Sequence, residues 1–408
     1  MYEGDAAIAP RWLRICVGLA AGLSIVGTQY LGPLMEATGL LGGWLTLLMF
    51  SPLYAAALGS LRRELWRGSG RWLLLLVGLL MARALTGAHL VDGINKGFSL
   101  ATLVAWAAVL EARPSLMGLV AKVGATVTVA AFLGHLAAPA TIEMPKGWLA
   151  LFAVMYFWHP SAPRLPGGGR LVRVGLAFFV LGIFVASTFR TPVFAMLAGL
   201  VLVALREREA RFVLVLGGLV AFFAMALAPQ TREVSYGREV NREDLMARYN
   251  EVGNDRMSGR VDFWENALTL MHERPATWVV GVGPSEVDYF MAEANPTVYS
   301  EARGERAVHT HNTLLELVLG LGLVGPLVFV GWVLSLVGRF RWASAEMGLL
   351  VAILASSMAD VVLVDLTGGT FCYAALLVLG LGSAAKVNAT AAAPRLVPWG
   401  ERRGGLAP

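Results

Sequence analysis

Charge is what this sequence has least of. Asp, Glu, Lys and Arg make up only 15% of its 408 residues, where a soluble globular domain carries about 25%. That shortage, with 57% hydrophobic residues and 46 glycines, excludes a water-soluble globular protein and points to a polytopic membrane protein. Cysteine is nearly absent: Cys16 and Cys372 both lie in apolar runs, which excludes a disulfide framework and offers no redox centre. Histidine is scarce as well, with six in the chain. No HExxH run and no third ligand at a recognisable spacing accompanies them, so no metal site is expected. No cofactor is expected either. The glycines of GVG at 281–283 lack a strand–turn–helix setting. SAPRLPGGGR (161–170) lacks the lysine–hydroxyl ending of a phosphate loop. The paired carboxylates of soluble glycosidases are missing too. The opening MYEGDAAIAPRWLR shows no cleavage site, and no cleavable leader is expected.

What the chain has instead is apolar length. Twelve stretches approach the roughly 20 residues that a helix needs to cross a bilayer. They lie at about 12–34, 38–59, 72–90, 97–112, 116–137, 143–158, 171–189, 191–205, 212–228, 312–336, 347–365 and 367–384. The 143–158 and 191–205 stretches are short, and read as tilted, re-entrant or differently bounded. The expected fold is all-α, with about twelve transmembrane helices.

Basic residues give these spans a side. Nineteen of the 33 Lys and Arg residues fall at one face, from Arg11 and Arg14 through Arg62, Arg206 and Arg339 to Arg403. The opposite short loops hold little beyond Lys96 and Lys146. The positive-inside rule then makes both termini cytoplasmic. The net charge of +5 follows from this sidedness and calls for no nucleic-acid partner.

One long polar stretch breaks the pattern. Residues 229–311 carry nine arginines and fourteen acids, and their topology places them outside the cytoplasm. The chain therefore divides into nine N-terminal spans (1–228), a large extracytoplasmic and partly helical loop (229–311), three C-terminal spans (312–384) and a cytoplasmic tail without packed structure (385–408). Within the loop, Val261, Trp264, Leu268 and Met271 recur at helical spacing, with Arg260 in the first turn.

Four places carry polar groups suited to chemistry. Arg83 lies inside the third apolar run, where an arginine faces a cavity, a phosphate or a carboxylate, or snorkels to the boundary. Arg190 stands at an outer hinge, beside Thr191 and ahead of Pro192, which suits a helix start and an anion seat. The alternative is an arginine meeting lipid headgroups. His309, Thr310, His311 and Asn312 come just before a long apolar helix, with Glu316 four residues after Asn312 on the same face. One histidine here suits a general base, since its unperturbed pKa lies near 6.5. The alternative is a pair that simply caps the helix. Asp360 and Asp365, near the outer end of the last hairpin, neutralise arginines or lie at the interface.

Three of these stretches, STFRTPVFAMLAG, GRVDFWENAL…GVG and HTHNTLLELVLGLGLVG, together with the large exported loop, resemble the O-antigen ligase and polymerase superfamily of bacterial envelope proteins. The resemblance covers roughly residues 185–335. It implies a glycosyltransferase that uses an undecaprenyl-diphosphate-linked glycan at the outer side of the inner membrane. The acceptor is a lipid A-core sugar in ligases, and a repeat unit or a protein in relatives. It places the family's arginines on Arg190 and Arg260 and its histidine on His311. His309, Asn312, Glu316 and Thr191 become supporting residues. Arg83 has no counterpart in the resemblance and joins the arginines as a candidate diphosphate contact. Guanidinium forks can hold the diphosphate, and His311 can take the proton of the acceptor hydroxyl, with Asn312 or Glu316 orienting its ring. An inverting, metal-independent transfer follows. Two other readings stand beside it: a polymerase with the same donor, and a multi-span transporter, which calls for two similar halves.

Overall fold

Long apolar runs with few β-branched clusters and no alternation favour helix, and helix is what they form. The computed structural model describes residues 9–38, 42–60, 68–138, 148–160, 162, 169–186, 190–227, 260–294, 310–364 and 369–392. His309, Asp365, the 228–259 and 295–309 parts of the polar stretch, and the tail from 393 onward lie outside them. In order, the helices are α1 (Arg11–Thr38), α2 (Gly42–Leu58), α3 (Ser69–Leu85), α4 (Leu90–Ala112), α5 (Leu116–Ala137), α6 (Trp148–Tyr156), α7 (Gly169–Ala186), α8 (Arg190–Ala204) and α9 (Arg208–Leu227). Three short helices of the polar stretch follow: α10 (Arg260–Glu273), α11 (Ala276–Val280) and α12 (Val287–Ala294). The chain ends with α13 (Thr313–Leu321), α14 (Val324–Val337), α15 (Ala345–Ser357), a 3-10 turn (Val362–Val364) and α16 (Gly369–Ala392). The fold is all-α.

Close approaches fix the direction of the packed pairs. A Cβ on Gly199 of α8 would stand 2.6 Å from the Gly348 carbonyl and 3.0 Å from Ala352, and one on Gly348 would meet Val203. Residue numbers fall on α8 as they rise on α15, so the two helices are antiparallel. The same logic pairs Gly93 with Ala84 and Gly97 with Met81 across α3 and α4. The interior is aromatic where helices meet: Phe371 takes Trp106 and Phe152 edge-on, at 5.0 and 4.8 Å between ring centres.

Helix α6 differs from the apolar stretch at 143–158 that announces it. All nine of its residues are buried, and at 1.5 Å per residue it is about 14 Å long, too short to cross a bilayer. It is an interior helix, walled by α5 and α15 among others. Among the described residues only α5, with 22 residues, is both long and apolar enough to cross a membrane. Among the described residues, the apolar helices at Thr191–Ala204, Val324–Val337, Ala345–Ser357 and Gly369–Ser383 are shorter. The expected span at 312–336 is also two helices, α13 and α14, parted at Gly322. Several outer faces are nonetheless apolar. Phe212, Val215, Leu219, Phe222 and Phe223, at helical spacing on α9, are each more than half exposed, a surface that belongs against lipid or another protein.

At the bundle end where α8 finishes and α15 begins, His159 meets Glu346 at 2.7 Å. Glu346 lies one residue ahead of the apolar 347–365 stretch. Burial alone raises its pKa. The bond to His159, that ring's charge, the local backbone N–H and Ser344 outweigh it and hold the carboxyl down at about 2. A depressed pKa stabilises the fold above the carboxyl's ordinary value of 4.5, and the contribution fades as pH falls toward 2. His159→Ala leaves the carboxylate buried without its partner, a loss of about 3–5 kcal/mol in comparable pairs. The thermal midpoint of the purified protein should drop at pH 7, and the deficit against wild type should shrink on acidification as Glu346 takes up a proton.

Candidate active site

Arg83, His311, Asn312, Glu316 and Asp360 lie at the opposite end of the bundle, where the loop helices meet α3, α4 and α13. The turn before α13 is built around its cap. Asn312 Oδ1 accepts from the Leu314 and Leu315 N–H groups at 2.9 and 3.0 Å, satisfying two donors that a helix start leaves open. Its Nδ2 donates to the Met358 carbonyl at 3.1 Å. Thr313 Oγ1 donates to the Asp360 carbonyl at 3.0 Å, so the turn is fastened to the end of α15. His311, between Thr310 and Asn312, has φ +51°. That left-handed conformation is uncommon for a residue with a side chain, and persists only where the surroundings enforce it.

The ring of His311 is 30% exposed, and its Nδ1 stands 3.7 Å from Asp360 Oδ1. Asp360 is thus the carboxylate facing Nδ1, whereas the sequence suggests Asn312 or Glu316 for that task. Asn312 is engaged as a cap. Glu316 turns the other way: its Oε1 receives Lys96 Nζ at 3.1 Å and its Oε2 receives Thr310 Oγ1 at 3.0 Å.

Lys96 is the residue that sequence reasoning misses. By hydropathy it is a charge in a short outer loop, but α4 starts at Leu90, seven residues before the apolar run, and carries Lys96 inside. The side chain is 12% exposed, and its ammonium lies 3.7 Å from Asp288 and 2.5 Å from the Pro284 carbonyl. Beside it lies a cavity of about 20 Å³ lined by Leu80, Ala84, Pro284 and Leu317, room for about one water. A sequence signal exists: a lone lysine at the edge of an apolar run must find carboxylates or stay wet.

The loop helices are seated by backbone fit. Gly281 and Gly322, both at φ +67°, face each other so closely that a Cβ on Gly281 would lie 2.6 Å from Leu321 N, and one on Gly322 would run into the Val279 carbonyl. The Val282 N–H donates to the Leu319 carbonyl at 2.6 Å and the Leu323 N–H to that of Trp278 at 2.8 Å. Apolar contacts among Ala267, Met271, Val287, Met291 and Leu319 complete the seat. Gly322→Ala should therefore lower the thermal midpoint clearly, with about 1–2 kcal/mol lost to the left-handed backbone alone and more to the clash. Gly78→Ala, a helical position with nothing within 4 Å, should be neutral or gain up to about 1 kcal/mol. Scanning calorimetry on both variants checks the contrast.

Arg83 reaches over this junction. Its Nη2 donates to the carbonyls of Val280 and Gly281, each at 3.4 Å. Its Nε is buried without a hydrogen-bond partner among the described residues. Nearby, the His89 N–H donates to Glu286 Oε1 at 2.9 Å, and the His89 ring stacks on Tyr289 at 3.4 Å.

Arg190 and Arg260 each occupy the first position of a helix, α8 and α10, where backbone N–H groups point outward. Thr191 is buried. Arg190 is nine residues before Gly199 and Ser357 is nine after Gly348. The antiparallel crossing therefore sets the start of α8 level with the end of α15, about 14 Å along from the glycines. Met358 and Asp360, which hold the His311 turn, follow directly. Trp264 on α10 donates its Nε1 to the Thr310 carbonyl at 3.0 Å, so the helix that begins with Arg260 is tied to the same turn. His309 lies outside the described residues. Among them, no group of three His, Cys, Asp or Glu residues stands close enough to hold a metal ion.

This is a helical site in which a strained histidine meets a carboxylate at the level of a helix that starts with arginine. Residues 175–330 match the O-antigen ligase family, and the chain carries that family's domain there. The matched region includes Arg190, Arg260, His311, Asn312 and Glu316, while Arg83, Lys96 and Asp360 lie outside it. The assignment is consistent with a glycan-transfer role. No curated protein matches the chain.

Proposed function

We propose that the protein is a membrane glycosyltransferase that moves a glycan from undecaprenyl diphosphate to an acceptor sugar, lipid A-core in the ligase manner. The observation that carries this reading is the His311 turn: a left-handed histidine facing Asp360, level with the start of α8, in a chain with an O-antigen ligase domain. In the proposed reaction the acceptor oxygen attacks the anomeric carbon of the donor sugar from the face opposite the diphosphate. The carbon–oxygen bond to the diphosphate breaks as the new glycosidic bond forms, so the configuration inverts. His311 takes the hydroxyl proton through Nε2, with Nδ1–H directed at Asp360. Asp360 orients the ring and steadies the imidazolium that results. Arg190 and Arg260 grip the departing diphosphate, and Arg83 adds a further cation at this end. Fixed cations aimed at a growing negative charge are the largest lever a site has on such a step. They remove the need for a metal.

The exposed apolar faces of α9 and the length of α5, with the basic residues gathered at one face, support a multi-pass protein in the bacterial inner membrane with this site facing the periplasm. The same placement gives a polyprenyl tail access from lipid while residues 229–311 hold the sugars.

Ligase and polymerase share this chemistry and differ in acceptor. Purified protein incubated with labelled polyprenyl-diphosphate glycan alone, then with lipid A-core added, separates them. Label should move only when the lipid acceptor is present; a ladder of longer glycans from donor alone would replace ligase by polymerase.

A further inference from the structure

The proposed base is a residue in an unfavourable backbone conformation, and His311 cannot hold itself there. Its two neighbours are held instead. Thr310 is fully buried and engaged through several groups. Its hydroxyl lies 3.0 Å from both Glu316 Oε2 and the Asn312 carbonyl, and receives the Asn312 N–H at 3.3 Å. Its carbonyl takes the Trp264 indole at 3.0 Å. Behind Glu316 stands Lys96, which also holds the Pro284 carbonyl and faces Asp288. One buried chain of polar contacts thus runs from α4, through α13, to the turn that carries His311. Side branches reach α12 through Asp288 and α10 through Trp264.

We infer that Lys96 is a positioning residue for transfer, acting through Glu316 and the Thr310 hydroxyl to fix the backbone of His311 and its register against α10. The inference rests on the reading of His311 as the base. The physical reason is the asymmetry of buried charge. Glu316 is 8% exposed, and its carboxylate keeps its direction only while a cation is beside it. Without Lys96 it loses its cation and swings away from Asp288, whose like charge now repels it, toward water. The Thr310 hydroxyl then keeps only the Asn312 carbonyl within its own turn and loses its tie to α13 and α4, and the residue before His311 is freed to relax toward ordinary φ. A shift of about 1 Å in a catalytic group is enough to slow a reaction on the order of 100-fold, with the donor still bound by other residues.

The test uses the full-length protein in detergent with polyprenyl-diphosphate glycan and acceptor. It compares Lys96→Met, Thr310→Val, Thr310→Ser and His311→Ala for kcat, donor KM and thermal midpoint. Lys96→Met and Thr310→Val should each lower kcat by about 10- to 100-fold with donor KM within about threefold. Thr310→Ser, which keeps the hydroxyl, should stay within about threefold of wild type. A packing role predicts the reverse order, because Val fills the threonine volume and Ser leaves a hole. Full activity in Thr310→Val or Lys96→Met, or equal losses in Thr310→Val and Thr310→Ser, overturns the inference. Should Lys96→Met fail to fold, the two threonine variants decide alone. The His311→Ala arm keeps the two readings apart. A fully active His311→Ala removes the base and this inference with it, whereas an inactive one beside an active Lys96→Met removes the inference only.

Discussion

Replacing His311 with alanine should abolish glycan transfer while leaving donor binding nearly intact. A positioned general base contributes about 10²- to 10⁴-fold, and its work lies in the transition state, so the loss should appear in kcat with donor KM little changed. The structure adds a second expectation. Asp360 faces Nδ1 at 3.7 Å, so Asp360→Asn should also slow transfer, by less than His311→Ala, because it disturbs the ring's orientation and leaves the base in place. His309→Ala, two residues away, should be milder than His311→Ala. Initial rates against pH with a defined acceptor check all three: the acidic limb that reports loss of the base should be missing from the residual rate of His311→Ala. A His311→Ala protein with wild-type rate and the same limb removes the histidine as base.

The second large effect belongs to the arginines. Arg190→Lys and Arg260→Lys keep the charge but lose the planar fork that makes two-point contacts with phosphate oxygens. Each should cut turnover by about 10²- to 10³-fold, the range seen when one donor is withdrawn from a developing anion. Arg274→Lys is the control. Its guanidinium carbon lies 5.6 Å from the Phe290 ring centre, a packing contact that lysine largely preserves, so transfer should change little. Turnover of polyprenyl-diphosphate glycan by the purified variants is the measurement, and full activity in both Arg190→Lys and Arg260→Lys rules out the assigned role. Addition of chelator belongs in the same assay. Rates should be unaffected where arginine carries the charge, and sensitivity would bring a metal back.

Local chemistry makes much of this end of the molecule legible from the residues alone. The apolar run after Asn312 marks a helix start, and α13 begins there, although its cap is Asn312 and not the histidines before it. Trp264, Leu268 and Met271 at helical spacing mark a helix, and α10 carries them, with Leu270 and Met271 turned inward. What stays hidden depends on distant parts of the chain. Lys96 reads as a loop charge because hydropathy rewards apolar length, and GINKG delays the apparent start of α4. Its partners Asp288 and Glu316 lie about two hundred residues away. Arg83 likewise meets carbonyls 197 and 198 residues on, which no local pattern announces. The run at 312–336 reads as one helix because glycine is tolerated in apolar spans. Only the Val279 carbonyl pressed against Gly322 explains why it is two. Asp360 is visible as a charge near the outer end of its hairpin, but its pairing with His311 needs α15 and the turn before α13 to be brought together.

We propose that this chain transfers a glycan from a polyprenyl diphosphate at the His311 turn. The most direct measurement reconstitutes the purified protein in lipid vesicles with a donor labelled on both the glycan and the polyprenyl carrier, plus lipid A-core. Both products are followed over time in wild type and His311→Ala. Each glycan gained by the acceptor should be matched by one free polyprenyl diphosphate, with inverted configuration at the new bond, and His311→Ala should form both at least about 100-fold more slowly. Movement of intact donor across the bilayer without release of polyprenyl diphosphate, or equal release by wild type and His311→Ala, would contradict this proposal.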